Sequence, residues 1–224
     1  MRALYKLVTD GKFADGLKTA DALLAVVPLT VVASRAEADE VREVVAIARE
    51  YNLGLRCELE RKAVAEADPK RAAELAAYFT HARLQPAHTV LALRAAMVLH
   101  FKAGNLACAA GFAARLLEVG ALPAKIGAQA RQVAAACDKD GPAADATPGL
   151  AYDARNPFDL CAGTLTPIYR GAPFVEDPYT GARFVPEWEG KVSPVGGIAR
   201  VGAAASGLVS VREEGGGGGG QRGR

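Results

Sequence analysis

The feature that most constrains this chain is a change of character near residue 140. Residues 1–140 hold 35 of the 47 alanines, but only 4 of the 12 prolines and 7 of the 24 glycines. Alanine loses no side-chain entropy in a helix, whereas glycine and proline interrupt one. The first stretch therefore reads as helical and the second as short strands joined by turns, an α+β class that is mainly α. Charge does not follow this boundary. There are 19 basic against 16 acidic residues before it and 8 against 9 after, for a net charge of +2. Neither part is a polyelectrolyte, and nothing in the charge argues for nucleic acid. Half of the 224 residues are hydrophobic, enough to bury a core. The longest strongly apolar runs, such as 22–33, are about 12 residues, short of the roughly 20 that span a bilayer. Residues 1–6 lack the layout of a secretory signal, so a cytoplasmic location is expected.

Four segments follow: a helical hairpin region at 1–140, a linker at 141–150, a small β-rich module at 151–210 and a glycine-rich tail at 211–224. The tail cannot offset its ordering entropy by burial and is expected to be disordered. Helix punctuation is legible in the first segment. Ser34 and Glu37 have capping-box spacing, and Val41, Val44, Val45, Ala48, Tyr51 and Leu55 follow on one helical face. Asp68-Pro69 reads as an N-cap with a first-turn proline, predicting a helix to about Phe79. Pro86 and Pro123 predict further starts, for helices at about 86–103 and 122–137. Residues 90–101 are apolar nearly all round, as in a helix packed between two others.

One repeat is visible. Gly11, Phe13, Ala20 and the pair Leu23-Leu24 are echoed by Gly104, Leu106, Ala113 and Leu116-Leu117. This is the pattern of a tetratricopeptide-like α-helical hairpin stack, in which small residues let helices approach closely; alanine-rich amphipathic helices also resemble one another without it. In the second part, residues 164–169 read as an edge strand around Pro167. Phe174-Val175 and Arg183-Phe184-Val185 flank the turn residues 177–181, predicting a hairpin over 173–186.

Chemistry is sparse. His81 and His88 are seven apart with Pro86 between them, and no cysteine or acidic cluster completes a metal shell beside them. A metal-dependent hydrolase built on them is the weakest reading; structural histidines are the simpler one. Glu58 and Glu60, like Glu176 and Asp177, read as solvated carboxylates without the distinct environments that acid–base catalysis needs. Cys57, Cys108, Cys137 and Cys161 form no CxxC pair and read as small core residues. No catalytic residue, metal or cofactor is expected, and an enzyme is not indicated.

The informative cluster is aromatic. Tyr152, Phe158, Tyr169, Phe174, Tyr179, Phe184 and Trp188 are seven of fourteen aromatics within 37 residues. They either build the core of a small module short of aliphatics or, with Arg170, face a protein partner, where rings and arginine dominate binding energy. The residues leave both open. The candidate contact set is Phe158, Tyr169, Arg170, Phe174, Tyr179, Phe184 and Trp188.

Residues 76–81 (Ala-Ala-Tyr-Phe-Thr-His), then Leu84-Gln-Pro86 and His88, resemble a segment of the C-terminal domain of the coatomer alpha subunit family of the COPI vesicle coat. Residues 156–161 (Asn-Pro-Phe-Asp-Leu-Cys) and 167–171 (Pro-Ile-Tyr-Arg-Gly) resemble a second segment of it, and the likeness runs from about Leu4 to Leu208. The resemblance implies a non-catalytic scaffold on the cytosolic face of Golgi membranes and COPI-coated vesicles. It would act in Golgi-to-ER and intra-Golgi transport, with the epsilon subunit of coatomer and other coatomer subunits as partners. It also implies a protruding hairpin held by a bracelet of tetratricopeptide repeats on epsilon; the 173–186 hairpin is the candidate here. Some relatives carry cysteines around 175–192 in a zinc-ribbon-like knuckle, where this chain has Asp177, Arg183 and Val192. Cys161 alone cannot hold zinc. The glycine-rich end also departs from the family's apolar terminus. The alternative from another class is a free-standing tetratricopeptide-like adaptor that binds short peptide motifs along the 86–137 helices.

Overall fold

The computed structural model describes residues 1–120, 122–139 and 144–205. Part of the expected linker (141–143), residues 206–210 and the 211–224 tail lie outside them. Seven α-helices occupy the first part of the described chain: α1 (Arg2–Thr9), α2 (Phe13–Val26), α3 (Arg35–Val64), α4 (Pro69–Phe79), α5 (Pro86–Lys102), α6 (Leu106–Glu118) and α7 (Ala124–Cys137). Each packs against its neighbour in sequence, the arrangement that short connections impose. The second part has two antiparallel strand pairs, β1 (Phe158–Leu160) with β2 (Pro167–Tyr169) and β3 (Val175–Glu176) with β4 (Arg183–Phe184). The fold is α+β and mainly α, as the composition predicts.

The punctuation works largely as the sequence indicates. The Ser34 hydroxyl accepts the Glu37 N–H at 3.2 Å, and Glu37 reaches back to the N–H of Ala33 at 2.7 Å. Asp68 caps α4 by accepting the Arg71 N–H, with Pro69 in the first turn. The echoed glycines do the same job twice. Gly11 and Gly104 have φ of +73° and +74°, and after each the next N–H returns five residues, Lys12 to Leu7 and Asn105 to His100. Those are the backbone bonds of a Schellman stop, which needs a left-handed residue that glycine supplies without steric cost. Pro123 sits at the N-cap of α7, just ahead of its first turn.

Alanine decides how closely the later helices approach. Ala96, Ala109, Ala113 and Ala130 are fully buried between α5, α6 and α7, around Phe112 and Met97. α3 has a different role. At roughly 1.5 Å per residue its 30 residues run about 45 Å. Nearly every residue of its middle two turns, from Tyr51 to Glu58, is buried. Tyr51 and Leu55 face α1 and α2, Cys57 faces α4, and Val45, Ala48 and Leu53 face the strands.

All buried apolar residues in the described part of the β-rich region share a cluster with helical residues. Cys161, Ile168, Phe184, Val195 and Val201 pack with Leu24, Val45 and Leu53, and Leu165 packs with Leu75 and Phe79. Arginines on the helices fix the irregular turns by donating to main-chain carbonyls that lack strand partners. Arg49 donates to Thr180 and Gly181, Arg56 to Ala162, and Arg71 to Thr164 and Leu165. The described linker residues are held by polar bonds, since they have little to bury. Asp145 caps α6 from outside by accepting the Cys108 N–H at 3.0 Å, while the Asn105 side chain accepts the Thr147 N–H.

Two carboxylates read as solvated are buried. Glu58 is 6% exposed and accepts from Nε and Nη2 of Arg61, each at 2.7 Å. Asp177 is wholly buried and organises the hairpin turn, accepting from the Tyr179 and Thr180 N–H groups and the Thr180 hydroxyl. Sequence proximity to other acids does not reveal the donors that compensate their burial.

Packing reverses the usual sign of a helix substitution at Gly54. A Cβ there would lie 2.8 Å from the Phe79 ring, whereas one at Gly111 in α6 meets nothing within 4 Å. Gly54→Ala is expected to cost roughly 1–3 kcal/mol through overpacking. Gly111→Ala is expected to gain about 0.5–1 kcal/mol from the helix backbone alone. Denaturant midpoints of the two variants check both signs.

Candidate interaction surface

The strand region is built almost entirely from rings and turns, and the structure divides the seven expected contact residues among different surroundings. Phe158 is half-buried in a seam with Tyr78, His81, Tyr152 and Tyr169, at centroid distances of 4.8–6.4 Å. Tyr169 belongs to the same seam, and its hydroxyl accepts the Asp153 N–H at 3.0 Å. Tyr179 turns its hydroxyl onto the Leu24 carbonyl at 2.6 Å, and burial pushes its pKa up to about 12. Phe184 is fully buried against Trp188. It cannot touch a partner, because the strand region closes onto the helices through this ring. Trp188 is half-buried, its indole lying over Gly163 with the Lys191 ammonium 5.0 Å from the ring. Arg170 and Phe174 are exposed, and the Arg183 guanidinium lies 4.3 Å from the Phe174 ring. The outward face of this set is thus Arg170 and Phe174, with the free edges of Tyr169 and Trp188.

The 173–186 hairpin does not stand out from the body. Asp177, Thr180 and Ala182 are buried, and Arg49 and Leu24 hold its turn onto α3 and α2. Sequence reasoning misses an exposed apolar element. At the end of α2 and along the connection to α3, Val26, Leu29 and Val31 are 59%, 81% and 94% exposed. Val27, in the same turn, points inward and packs with Leu24 and Val195. The signal for it is the apolar run 22–33, too short for a membrane span. Pro28 inside that run ends the helix and leaves the remaining apolar residues on a connection.

His81 and His88 occupy separate networks. The Thr9 hydroxyl donates to the Tyr5 carbonyl, so His88 Nε2–H donates to Thr9; the Gln85 N–H donates to Tyr51, whose hydroxyl donates to His88 Nδ1 at 2.6 Å. Burial lowers the pKa of His88, which favours the neutral ring this chain accommodates. His81 Nε2 faces the Tyr152 hydroxyl at 3.0 Å and Arg115 at 3.3 Å. Burial of its ring, with the Arg115 cation, holds its pKa down to about 4. Burial raises the Cys57 thiol to about 12, and burial with the Asp145 carboxylate does the same to Cys108. Cys161 Sγ receives the N–H groups of Thr164 and Val185. Among the described residues no group of three or more His, Cys, Asp or Glu is placed to hold a metal ion. No described helix is long and apolar enough to cross a membrane.

Residues 1–214 match the family formed by the C-terminus of the coatomer (COPI) alpha chain. The chain belongs to that family. It is 46% identical over 209 residues to coatomer subunit alpha-1 of Arabidopsis thaliana and 47% identical to coatomer subunit alpha-2 of Oryza sativa. It is 37% identical to coatomer subunit alpha of Dictyostelium discoideum. The two plant alignments cover 93% of this chain and the Dictyostelium one 91%, but each takes in only 17% of the relative. The chain therefore spans about a sixth of the length of the coatomer alpha subunits it matches.

His81, His88 and His100 all have pKa values lowered first by burial. Below the unfolded value of about 6.5 the unfolded chain binds more protons than the folded one, so stability falls with pH in that window. The denaturant midpoint is expected to drop between pH 7.5 and pH 5. The drop should shrink in His88→Gln, which has no titrating ring.

Proposed function

We propose that this chain is a non-catalytic scaffold of the COPI vesicle coat that binds the epsilon subunit of coatomer. It would act with the other coatomer subunits on the cytosolic face of Golgi membranes and COPI-coated vesicles, in Golgi-to-ER and intra-Golgi transport. Membership of the alpha-subunit family supports the coat assignment. The observation that carries a binding role is the group of exposed apolar side chains at Val26, Leu29 and Val31, which face water while the neighbouring Val27 is buried. Covering Leu29 and Val31 would each supply roughly 1.5–3 kcal/mol, the scale on which a few residues dominate an interface. Phe174 and Arg170 offer a second exposed contact of the type enriched at protein interfaces. Binding would be an equilibrium association in which apolar surface leaves water on docking.

Purified chain mixed with its cognate epsilon subunit at micromolar concentration is expected to co-elute in size-exclusion chromatography. The pair Leu29→Asp and Val31→Asp should weaken the complex at least tenfold, and Phe174→Ala with Arg170→Ala should weaken it further. Co-elution unchanged by both sets in folded protein would overturn the assignment of the surface, and absence of any complex with the parent would overturn the epsilon reading.

A further inference from the structure

A cleft of about 470 Å³ opens between α3, the turn after α4 and the strands β1 and β4. That volume lies within the roughly 300–1,000 Å³ of ligand-binding sites. Its lining is mainly polar, with small apolar contributions from Leu53, Tyr78, Leu160 and Ala182. Its rim carries three arginines and three carboxylates, which are not equally committed. Arg49 and Glu50 pair with each other at 2.9 Å. Their remaining contacts are to the chain itself, Arg49 to the Thr180 and Gly181 carbonyls and Glu50 to the Arg83 N–H. That pair is part of the scaffold.

The remaining charges are separated. On the helical wall the Arg83 guanidinium is exposed and has no hydrogen-bond or ion-pair partner among the described residues. On the strand wall Asp159 and Glu176 share the single cation of Arg183, and their side chains are 54% and 48% exposed. One wall thus has a surplus positive charge and the facing wall a surplus negative one. An extended peptide projects successive side chains to opposite sides, which suits two walls of opposite sign. We propose that this cleft is a docking site for an extended segment of a protein partner, with an acidic side chain on Arg83 and an adjacent basic one on Asp159 and Glu176. The inference stands apart from the coat reading, because neither the cleft nor its test requires a coatomer subunit.

The test is a ¹⁵N–¹H titration of the 224-residue chain with acetyl-Leu-Glu-Lys-Leu-amide and with the neutral acetyl-Leu-Gln-Gln-Leu-amide. The charged peptide should shift the amides of Gly54, Ala82 and Ala182 and bind at least fivefold tighter than the neutral one. Arg83→Gln should remove that preference. Arg83→Glu should invert it toward acetyl-Leu-Lys-Lys-Leu-amide. Both variants keep the main-chain bond from residue 83 to Glu50, and an unchanged dispersion of the remaining amides verifies their fold. Equal binding of charged and neutral peptides, shifts outside the cleft, or variants that bind like the parent would each overturn the proposal.

Discussion

The middle of α3 is enclosed on nearly every side, and the placement of the other elements follows from that constraint. Tyr51 and Leu55 face α1 and α2, Cys57 faces α4, and Leu53 faces the strand region. A helix in that position has little polar face to spare, so the polar side chains it does carry must be satisfied inside the protein. Most of their polar atoms are: Asn52 donates to Asp21 at 2.7 Å but leaves its buried Oδ1 without a partner, Glu58 takes Arg61, and Tyr51 joins the chain of hydrogen bonds through His88 to Thr9. Gly54 belongs to the same constraint: it is the point at which the Phe79 ring comes within reach of the α3 backbone.

The strand region depends on α3 and α4 for its form. Two strand pairs of two or three residues each are marginal by themselves. Here their turns are fixed by guanidinium groups from Arg49, Arg56 and Arg71 and their apolar residues are shared with helices. Most of the rings between 152 and 188 are consequently spent on joining the two parts. The rings of the aromatic cluster divide by surroundings: Phe184 is core, Phe158 and Tyr169 fill a seam, and Phe174 looks outward.

The two surfaces with unmet physical requirements are different in kind. The connection between α2 and α3 exposes aliphatic side chains that water solvates poorly. The cleft at the α3–strand seam exposes charges whose signs are divided between its walls. The first is suited to a partner that covers apolar area, the second to one that supplies complementary charge. Both lie along α3, one ahead of its N-terminus and one beside its middle.

By itself the sequence determined the local structure and the family. Ser34, Asp68, Gly11 and Gly104 set helix ends through bonds to adjacent backbone, and the two strings around Tyr78 and Phe158 are specific enough to be matched without coordinates. Such features depend on residues a few positions apart, and the chain carries them openly. Only the tertiary structure decided which carboxylates are buried, that the 173–186 turn lies flat on α3, and that Val26, Leu29 and Val31 are left facing water. Each of those outcomes rests on how distant parts of the chain meet, Arg49 under Gly181 and Leu24 under Tyr179 among them, and hydropathy along the chain records how apolar a residue is but not what arrives to cover it.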